Sequence, residues 1–463
     1  MDESPDSPRT PRAALVLARR PQLSPAGLAA TLADAFLSAP EWTHAHLVTA
    51  GASALGARRR WLGALVRHVL TNYPRPPSDA PRELTATVAD SNALCDALAA
   101  AARRGVPIAV AHHPVDVTRA VRITAPLPPL DTLADLAALL GLSTGELDWF
   151  ADTGHWNRRA CATALQHYRY EWRERPDRTP RLLEIPGRRL RSIQRTLLQT
   201  LLGLLPTHPA AHGFVPGRSA VTGAALHTRA AVVISLDLTS FFATVTAAGI
   251  YGVLRRHGYP ESVAHAITGL CTHAVPPRVL TAMPPGGDPH ERAALRRALS
   301  TAHLPQGAPS SPVLGNLALT RLDARLTGWA DAAGATYTRY ADDLTFSGGP
   351  DLARRADAGV RGVTRIVTAE NHTVNPRKTR VRPAGVRQSV TGIVVNAHTN
   401  VTRVEADRLK AILHNCVVTG PAAQNRARHP DFRAHLLGRI SWVEQLNPQR
   451  GARLRARFAD IRW

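Results

Sequence analysis

"YTRYADDLTFS", residues 337–347, sets two acidic residues side by side in a run that otherwise reads as strand. Tyr337, Tyr340, Leu344, Thr345 and Phe346 favour a pleated strand, whereas Asp is depleted in strands. A β-hairpin reconciles the two. Ala341, Asp342 and Asp343 then occupy its tip, where a tight turn brings both carboxylates to one rim. Two crowded anions are costly unless a cation joins them. A third acid, Asp237, lies 105 residues upstream (342 − 237) near the end of "VVISLDL", a buried strand with no structural need for an acid. Three carboxylates delivered by neighbouring strands form a hard oxygen site suited to Mg²⁺. Two such ions about 4 Å apart can activate an attacking hydroxyl and stabilise a leaving phosphate oxygen.

The rest of the chain fits such chemistry. Its 463 residues suffice for two or three domains, and a hydrophobic fraction of 44% makes it globular. A net charge of +22 and a pI near 11.3 suit a polyanionic partner, most simply nucleic acid. Lys378 and Lys410 are the only lysines. A GC-rich coding sequence gives the same arginine-rich bias without selection for binding, so charge alone leaves both origins open. Cys95, Cys161, Cys271 and Cys416 are far apart with no CxxC spacing. They suggest neither a zinc site nor a disulfide framework, and a reduced, cytoplasmic protein is expected. No apolar run reaches the roughly 18 residues of a membrane span. "MDESPDSPRTPR" lacks a signal-peptide core, and residues 1–22 read as a disordered tail.

Residues 23–125 read as a helical extension. In it, "SPAGLAATLADAFLSA" starts at a Ser24 cap, "ARRRWLGALVRHVL" forms a basic amphipathic helix, and "NYPRPPSDAPREL" (72–84) is a proline-rich linker. Two short helices are expected over 129–152, the second capped by Ser143. Beyond residue 165 comes a strand, a basic turn, a strand and a basic helix. A buried strand over 231–242 runs into a helix, and a Pro/Gly insertion precedes "QGAPSSPVLGNLAL" with its long helix. The hairpin follows, then a helix to about 371, a strand pair near "RQSVTGIVVN" and a helical tail over 404–463.

These segments, in this order, resemble reverse transcriptases. "SLDLTSFF" and "YADDL" look like the two metal-binding motifs. "RTPRLLEIPGRRLRSIQRTLL", "AHGFVPGRSA", "LPQGAPSSPVLGNLAL", "NPRKTRV" and "RQSVTGIVVN" look like the fingers segment, the segment after it, the nucleotide segment, the lysine loop and the primer-end hairpin. "HGFVPGRS", "YTRYADDLTFS" and "VTGIVVN" are most similar to the retron type. The resemblance covers about residues 165–400. It implies an α+β right-hand polymerase: helical lead-in and fingers over 126–230, a palm with an antiparallel sheet over 231–400 (with a fingers insertion near 250–305) and a helical thumb over 401–463. Asp237, Asp342, Asp343 and the Leu238 carbonyl would hold two Mg²⁺. Lys378 would protonate pyrophosphate, as lysine can release a proton where arginine does not. Arg178 and Arg181 would grip the triphosphate, or else belong to a basic turn. Phe242 would exclude a 2′-hydroxyl, or else pack beside Phe241. Gln306 and Gly307 would border the nucleotide. His227, Tyr340, Val390, Thr391 and Gly392 would meet RNA or primer.

Two positions depart from the pattern. Gly223 stands where many retron enzymes have Asn in Asn-Ala-x-x-His, and Ser240 stands where the family often has Asp. The implied partners are a structured noncoding RNA as template and primer, the RNA–DNA hybrid, dNTPs and an effector protein. The implied setting is antiphage defence, the product a single-stranded DNA. The rival readings are a reverse transcriptase of another bacterial type, such as that of a group II intron, and a catalytically silent RNA-binding scaffold.

Overall fold

The computed structural model describes residues 24–76, 81–112, 127–154, 156–160, 165–175 and 177–463. The tail expected over 1–22, the middle of the linker and Cys161 lie outside these residues. The described chain forms two compact units. One holds its parts of Met1–Ala120, Pro129–Gly154 and Tyr259–Ala266; the other holds those of Val121–Pro128, His155–Gly258 and Ile267–Trp463. Residues 129–154, expected to lead into the fingers, thus group with the N-terminal helices.

The first unit is helical. Pro25–Leu37, His44–Ala54, Leu62–Asn72, Pro81–Ala89 and Asn92–Arg104 bury Leu28, Leu32, Phe36, Leu47, Leu65, Val69 and Leu84 in one core. Ser24 caps the first helix by accepting from Gly27 N, with Pro25 in the first turn. Arg58, Arg59 and Arg60 were expected within a helix but precede Leu62–Asn72. Three cations in a first turn would face the positive end of the helix dipole. The pair Leu133–Leu140 and Thr144–Ala151 forms as expected, and Ser143 and Glu146 close a capping box.

The second unit is built around a four-stranded antiparallel sheet, in order β4(Ala335–Tyr340)–β5(Asp343–Gly348)–β3(Val232–Asp237)–β6(Arg380–Pro383). Two hairpins stand apart, β1(Tyr168–Arg173) with β2(Arg181–Pro186), and β7(Ser389–Val390) with β8(Ile393–Val394). The long helix expected after "QGAPSS" divides at Leu319 into Ser311–Ala318 and Thr320–Ala332. The second hairpin packs against the C-terminal helices Arg403–Thr419, Phe432–Leu446 and Pro448–Ala459 through Val390, Ile393, Leu413, Ile440, Val443 and Leu454. Its turn residues Thr391 and Gly392 both have positive φ (48° and 84°), as a two-residue hairpin of type I′ requires.

Side chains alternate across β4. Tyr337 and Arg339 face the helix Thr320–Ala332, where Trp329 meets the ring of Phe346 edge-on. Arg339 is wholly buried. Its Nε and Nη2 bind the Asp323 carboxylate at 2.8 and 2.7 Å, and Nη1 binds Asn316 Oδ1 at 2.8 Å and the Ala341 carbonyl at 3.0 Å. Burial by itself would lower the guanidinium pKa, but Asp323 more than reverses this and holds it above its ordinary value. Removing one partner strands a buried charge. Asp323→Ala should therefore destabilise the protein by about 3–5 kcal/mol in chemical denaturation, against under about 1 kcal/mol for an exposed pair such as Arg403–Asp407.

Candidate active site

The hairpin tip is a two-residue turn. Tyr340 pairs with Asp343, leaving Ala341 and Asp342 as the loop, and Ala341 takes φ +55°. Asp343 therefore opens β5 rather than capping the turn. Across the sheet, Asp237 is the register partner of Asp343, as Ser235 is of Thr345. Residues directly opposite one another share a sheet face with Cβ atoms about 5 Å apart. Leu238 N donates to the Asp342 carbonyl at 3.0 Å, which fastens the third acid to the end of β3.

Lost hydration and mutual repulsion act on the two acids of the hairpin. Desolvation, then the charges of Asp342 and Asp237, push the Asp343 carboxyl up to about 6. Asp342 is raised in the same way, by burial first and Asp237 second. Lys378 answers part of that charge, its Nζ donating to Asp237 Oδ1 at 2.6 Å. Among the described residues, no three His, Cys, Asp or Glu side chains are drawn together at metal-holding spacing. The backbone nonetheless delivers the acids to one rim, and acceptor-only carboxylates are the donors a hard divalent cation takes.

The lysine loop is stitched to β3. Asn375 N donates to the Asp237 carbonyl at 2.7 Å, Thr239 N donates to Thr373 O at 2.8 Å, and Val374 bridges Leu238. Cations of the β1–β2 hairpin act electrostatically on the site. Arg175 is lowered by burial, then by the charges of Arg181 and Arg178, while Asp237 pulls the other way. The charge of Arg181 in turn counters the rise at Asp342. Arg181 and Arg175, the latter passed over in the sequence reading, thus lie within electrostatic reach of the acids, whereas Arg178 acts on Arg175.

Gln306 and Gly307 dock on β2. Glu184 N donates to Gln306 O at 2.9 Å, and Gly307 has φ +132° with no room for a Cβ, which would lie 2.9 Å from Glu184 O. The buried Glu184 carboxylate also binds His303 Nε2 at 3.1 Å. Glu291, on the helix Pro289–Ser300, accepts from Thr179 Oγ1 at 2.8 Å and lies 3.6 Å from Arg377, tying the basic turn to the lysine loop. Phe242 is half-buried beside Phe241, and the helix Ser311–Ala318 approaches both rings at Gly315, where a Cβ would lie 3.0 Å from Phe241. Tyr340 remains partly exposed at the turn.

His227 is not available to nucleic acid. It is fully buried, one ring nitrogen 2.7 Å from Ser347 Oγ and the other 2.7 Å from Thr338 Oγ1, so it braces β4 against β5. The cue was its company: a histidine flanked by strands rich in inward-facing hydroxyls is a core polar group. Glu184, Glu291, Asp323 and Arg339 were also missed. Each acts through a partner 16 or more residues away, a pairing that local spacing does not encode.

The reverse transcriptase (RNA-dependent DNA polymerase) family model matches residues 174–391, and this defines the class. The Retron Mx65 reverse transcriptase of Myxococcus xanthus is 40% identical over 342 residues, 72% of this chain and 72% of that one. The Retron Mx162 reverse transcriptase of the same organism is 35% identical, covering 72% of this chain and 68% of the relative. For the Retron Ec86 reverse transcriptase of Escherichia coli the figures are 27%, 62% and 79%. The chain belongs to the retron reverse transcriptases, a group of RNA-directed DNA polymerases.

Burial lowers the His227 pKa from 6.5 to about 4, so the folded protein holds the ring neutral where the unfolded chain would protonate it. Its contribution to stability is whole above pH 6.5 and drains as pH falls from there towards 4. His227→Gln, which has no proton to gain, should lose stability less steeply across that window in denaturant titrations at stepped pH. An unchanged slope would show that the ring does not titrate with folding.

Proposed function

We propose that this reverse transcriptase copies part of a cognate structured noncoding RNA into single-stranded DNA, starting from a hydroxyl of that RNA. It would do so in the cytoplasm, as part of an antiphage system with an effector protein. The observation that carries the catalytic part is the convergence of three groups: Asp237 and Asp343 in direct register on one sheet face, Lys378 on Asp237, and Arg175 and Arg181 within electrostatic reach of Asp237 and Asp342. In this reading the β1–β2 hairpin and the insertion near 250–305 act as fingers, the four-stranded sheet as palm and the C-terminal helices as thumb.

Asp237, Asp342, Asp343 and the Leu238 carbonyl are the groups that would hold Mg²⁺. Two bound ions would supply a more acidic attacking hydroxyl and charge neutralisation at the phosphate. The protein's own part is positional. Guanidinium groups bind phosphate oxygens in a fixed fork, so the Arg cluster holds the triphosphate across from the acids. Lys378 has three donors on a flexible stem and is the group assigned to protonate departing pyrophosphate. Gly307 lets backbone come close to the nucleotide. Phe242, wedged against the helix Ser311–Ala318, bars a ribose 2′-hydroxyl. Val390, Thr391 and Gly392 steady the primer end, and Tyr340 borders it. The basic C-terminal helices would bind RNA mainly through phosphates, so that affinity falls steeply with salt.

Primer extension with Mg²⁺ and dNTPs on an RNA template tests the catalytic reading. Asp342→Asn should reduce incorporation by at least about 100-fold while RNA binding, measured by fluorescence anisotropy, is retained. Folded wild-type protein that binds RNA yet incorporates nothing would favour the silent scaffold. Sequencing the copurifying nucleic acid tests the retron part: a branched RNA–DNA molecule is expected, and a bare protein would count against it.

The gate makes a separate prediction. Phe242→Ala should raise incorporation of NTPs relative to dNTPs by about tenfold or more, since one hydroxyl against a fitted wall is worth roughly 1–3 kcal/mol. If the ratio of kcat/KM values does not move, Phe242 is a packing residue only.

A further inference from the structure

Phe214 is an aromatic side chain that folding leaves unexplained. The residues before it are bound tightly to the catalytic strand. Arg339 N donates to Ala210 O at 2.7 Å, His212 N donates to Arg339 O at 2.7 Å, and Ala211 forms a parallel bridge with Arg339. Gly213 O accepts from the buried Asn316 Nδ2 at 2.8 Å. A Cβ on Gly213 would lie 2.8 Å from Ala341 N, so backbone abuts the catalytic turn directly. At the next residue the packing stops. Phe214 adopts φ +59°, a conformation that L side chains enter at a cost, and its side chain is left 51% exposed. Its ring meets Tyr340 at 6.1 Å between centroids, tilted by 38°.

Neither feature is accounted for by the core. A half-exposed phenylalanine gains little from burial, and glycine or asparagine would suit the left-handed backbone better. What the arrangement does achieve is placement. The ring is fixed beside Tyr340, two residues before Asp342, at the rim where a reacting strand end must meet the acids. Every nucleobase has a π-face, and aromatic side chains bind it without regard to sequence.

We propose that Phe214 is a positioning residue that stacks on a nucleobase of the primer–template duplex at the catalytic turn. This rests on the polymerase reading above. Stacking there would steady the terminal base pair and fix the direction from which the primer hydroxyl approaches. It involves no charge, so it adds to the binding of the Arg-rich surface without changing its salt response.

Full-length wild-type, Phe214→Ala, Phe214→Gly and Phe214→Trp proteins decide the matter, with short RNA–DNA duplexes carrying 2-aminopurine either at the primer terminus or opposite it. Phe214→Ala and Phe214→Gly should melt no lower than wild type. Both should bind duplex about 5- to 100-fold more weakly, the range that base–aromatic stacking spans, with the slope of log Kd against log salt unchanged. Phe214→Trp should restore affinity. The wild type should quench 2-aminopurine at one of the two positions, which identifies the strand, and Phe214→Ala should not. Equal affinity for the Ala variant, or quenching that survives it, overturns the proposal. So does a fall in melting temperature for the Ala and Gly variants, which would make the ring structural. A wild type that neither binds nor extends the duplex would instead sink the polymerase reading.

Discussion

A single buried guanidinium holds the β4–β5 hairpin in place. Arg339 lies on β4 two residues before the turn, with no exposed surface and every nitrogen engaged. Its charge cannot be relieved by deprotonation, so Asp323 must stay opposite it. The pair thereby locks the helix Thr320–Ala332 to β4, while Asn316 adds the helix Ser311–Ala318. The same arginine reaches the carbonyl of Ala341, the residue forced into a left-handed conformation. A strained turn persists when its surroundings over-determine it. Here the buried ion pair and the parallel segment at Ala210–Gly213 act on the turn from two sides.

On that frame the electrostatics of the rim are deliberately unbalanced. Asp237 and Asp343 arrive from two strands in register, Asp342 comes from the turn, and lost hydration together with mutual repulsion raises both Asp342 and Asp343. The protein's only nearby lysine neutralises Asp237, and the arginines of the β1–β2 hairpin sit further out. Divalent cations would be drawn to the carboxylates at the sheet, and phosphate oxygens to the guanidinium groups of the hairpin. Such pre-set dipoles and charges stabilise charge that develops during reaction without reorganising at that moment.

The hairpin, the buried strand ending at Asp237 and the order of motifs were legible because each depends on local pattern: β-branched runs, a two-residue turn, a capping box at Ser143. That Asp237 and Asp343 stand opposite one another in register was not legible, because Asp343 reads as part of the turn rather than of β5. The sequence was silent where a residue's role is set by a distant partner. Arg339 reads as one more arginine in a chain crowded with them, until Asp323 appears beneath it. His227 reads, by resemblance, as a contact to RNA or primer, until Thr338 and Ser347 take up both its nitrogens. The three arginines before Trp61 mislead for another reason: their spacing fits a helix, but their charge opposes its first turn. Glu291 carries no local mark at all, because its two partners lie 112 residues upstream and 86 downstream (291 − 179 and 377 − 291).

Glu291 bears on how the site works as a unit. Its carboxylate joins the turn that carries Arg178 to the loop that carries Lys378, and neither contact lies on the sheet. Asp288 caps its helix by accepting from His290 N and Glu291 N, which fixes the side chain's starting point. Gly287 packs so closely on the hairpin that a Cβ would lie 2.3 Å from Thr179 N. The hairpin is thus held by backbone contact on one side and by a carboxylate on the other. Residues carried on separate loops keep a fixed spacing only where supporting contacts hold the loops, and long exposed side chains do not supply that alone. The bridging acid, anchored at a helix start, adds a hydrogen bond to the hairpin turn and a longer ion pair to the lysine loop.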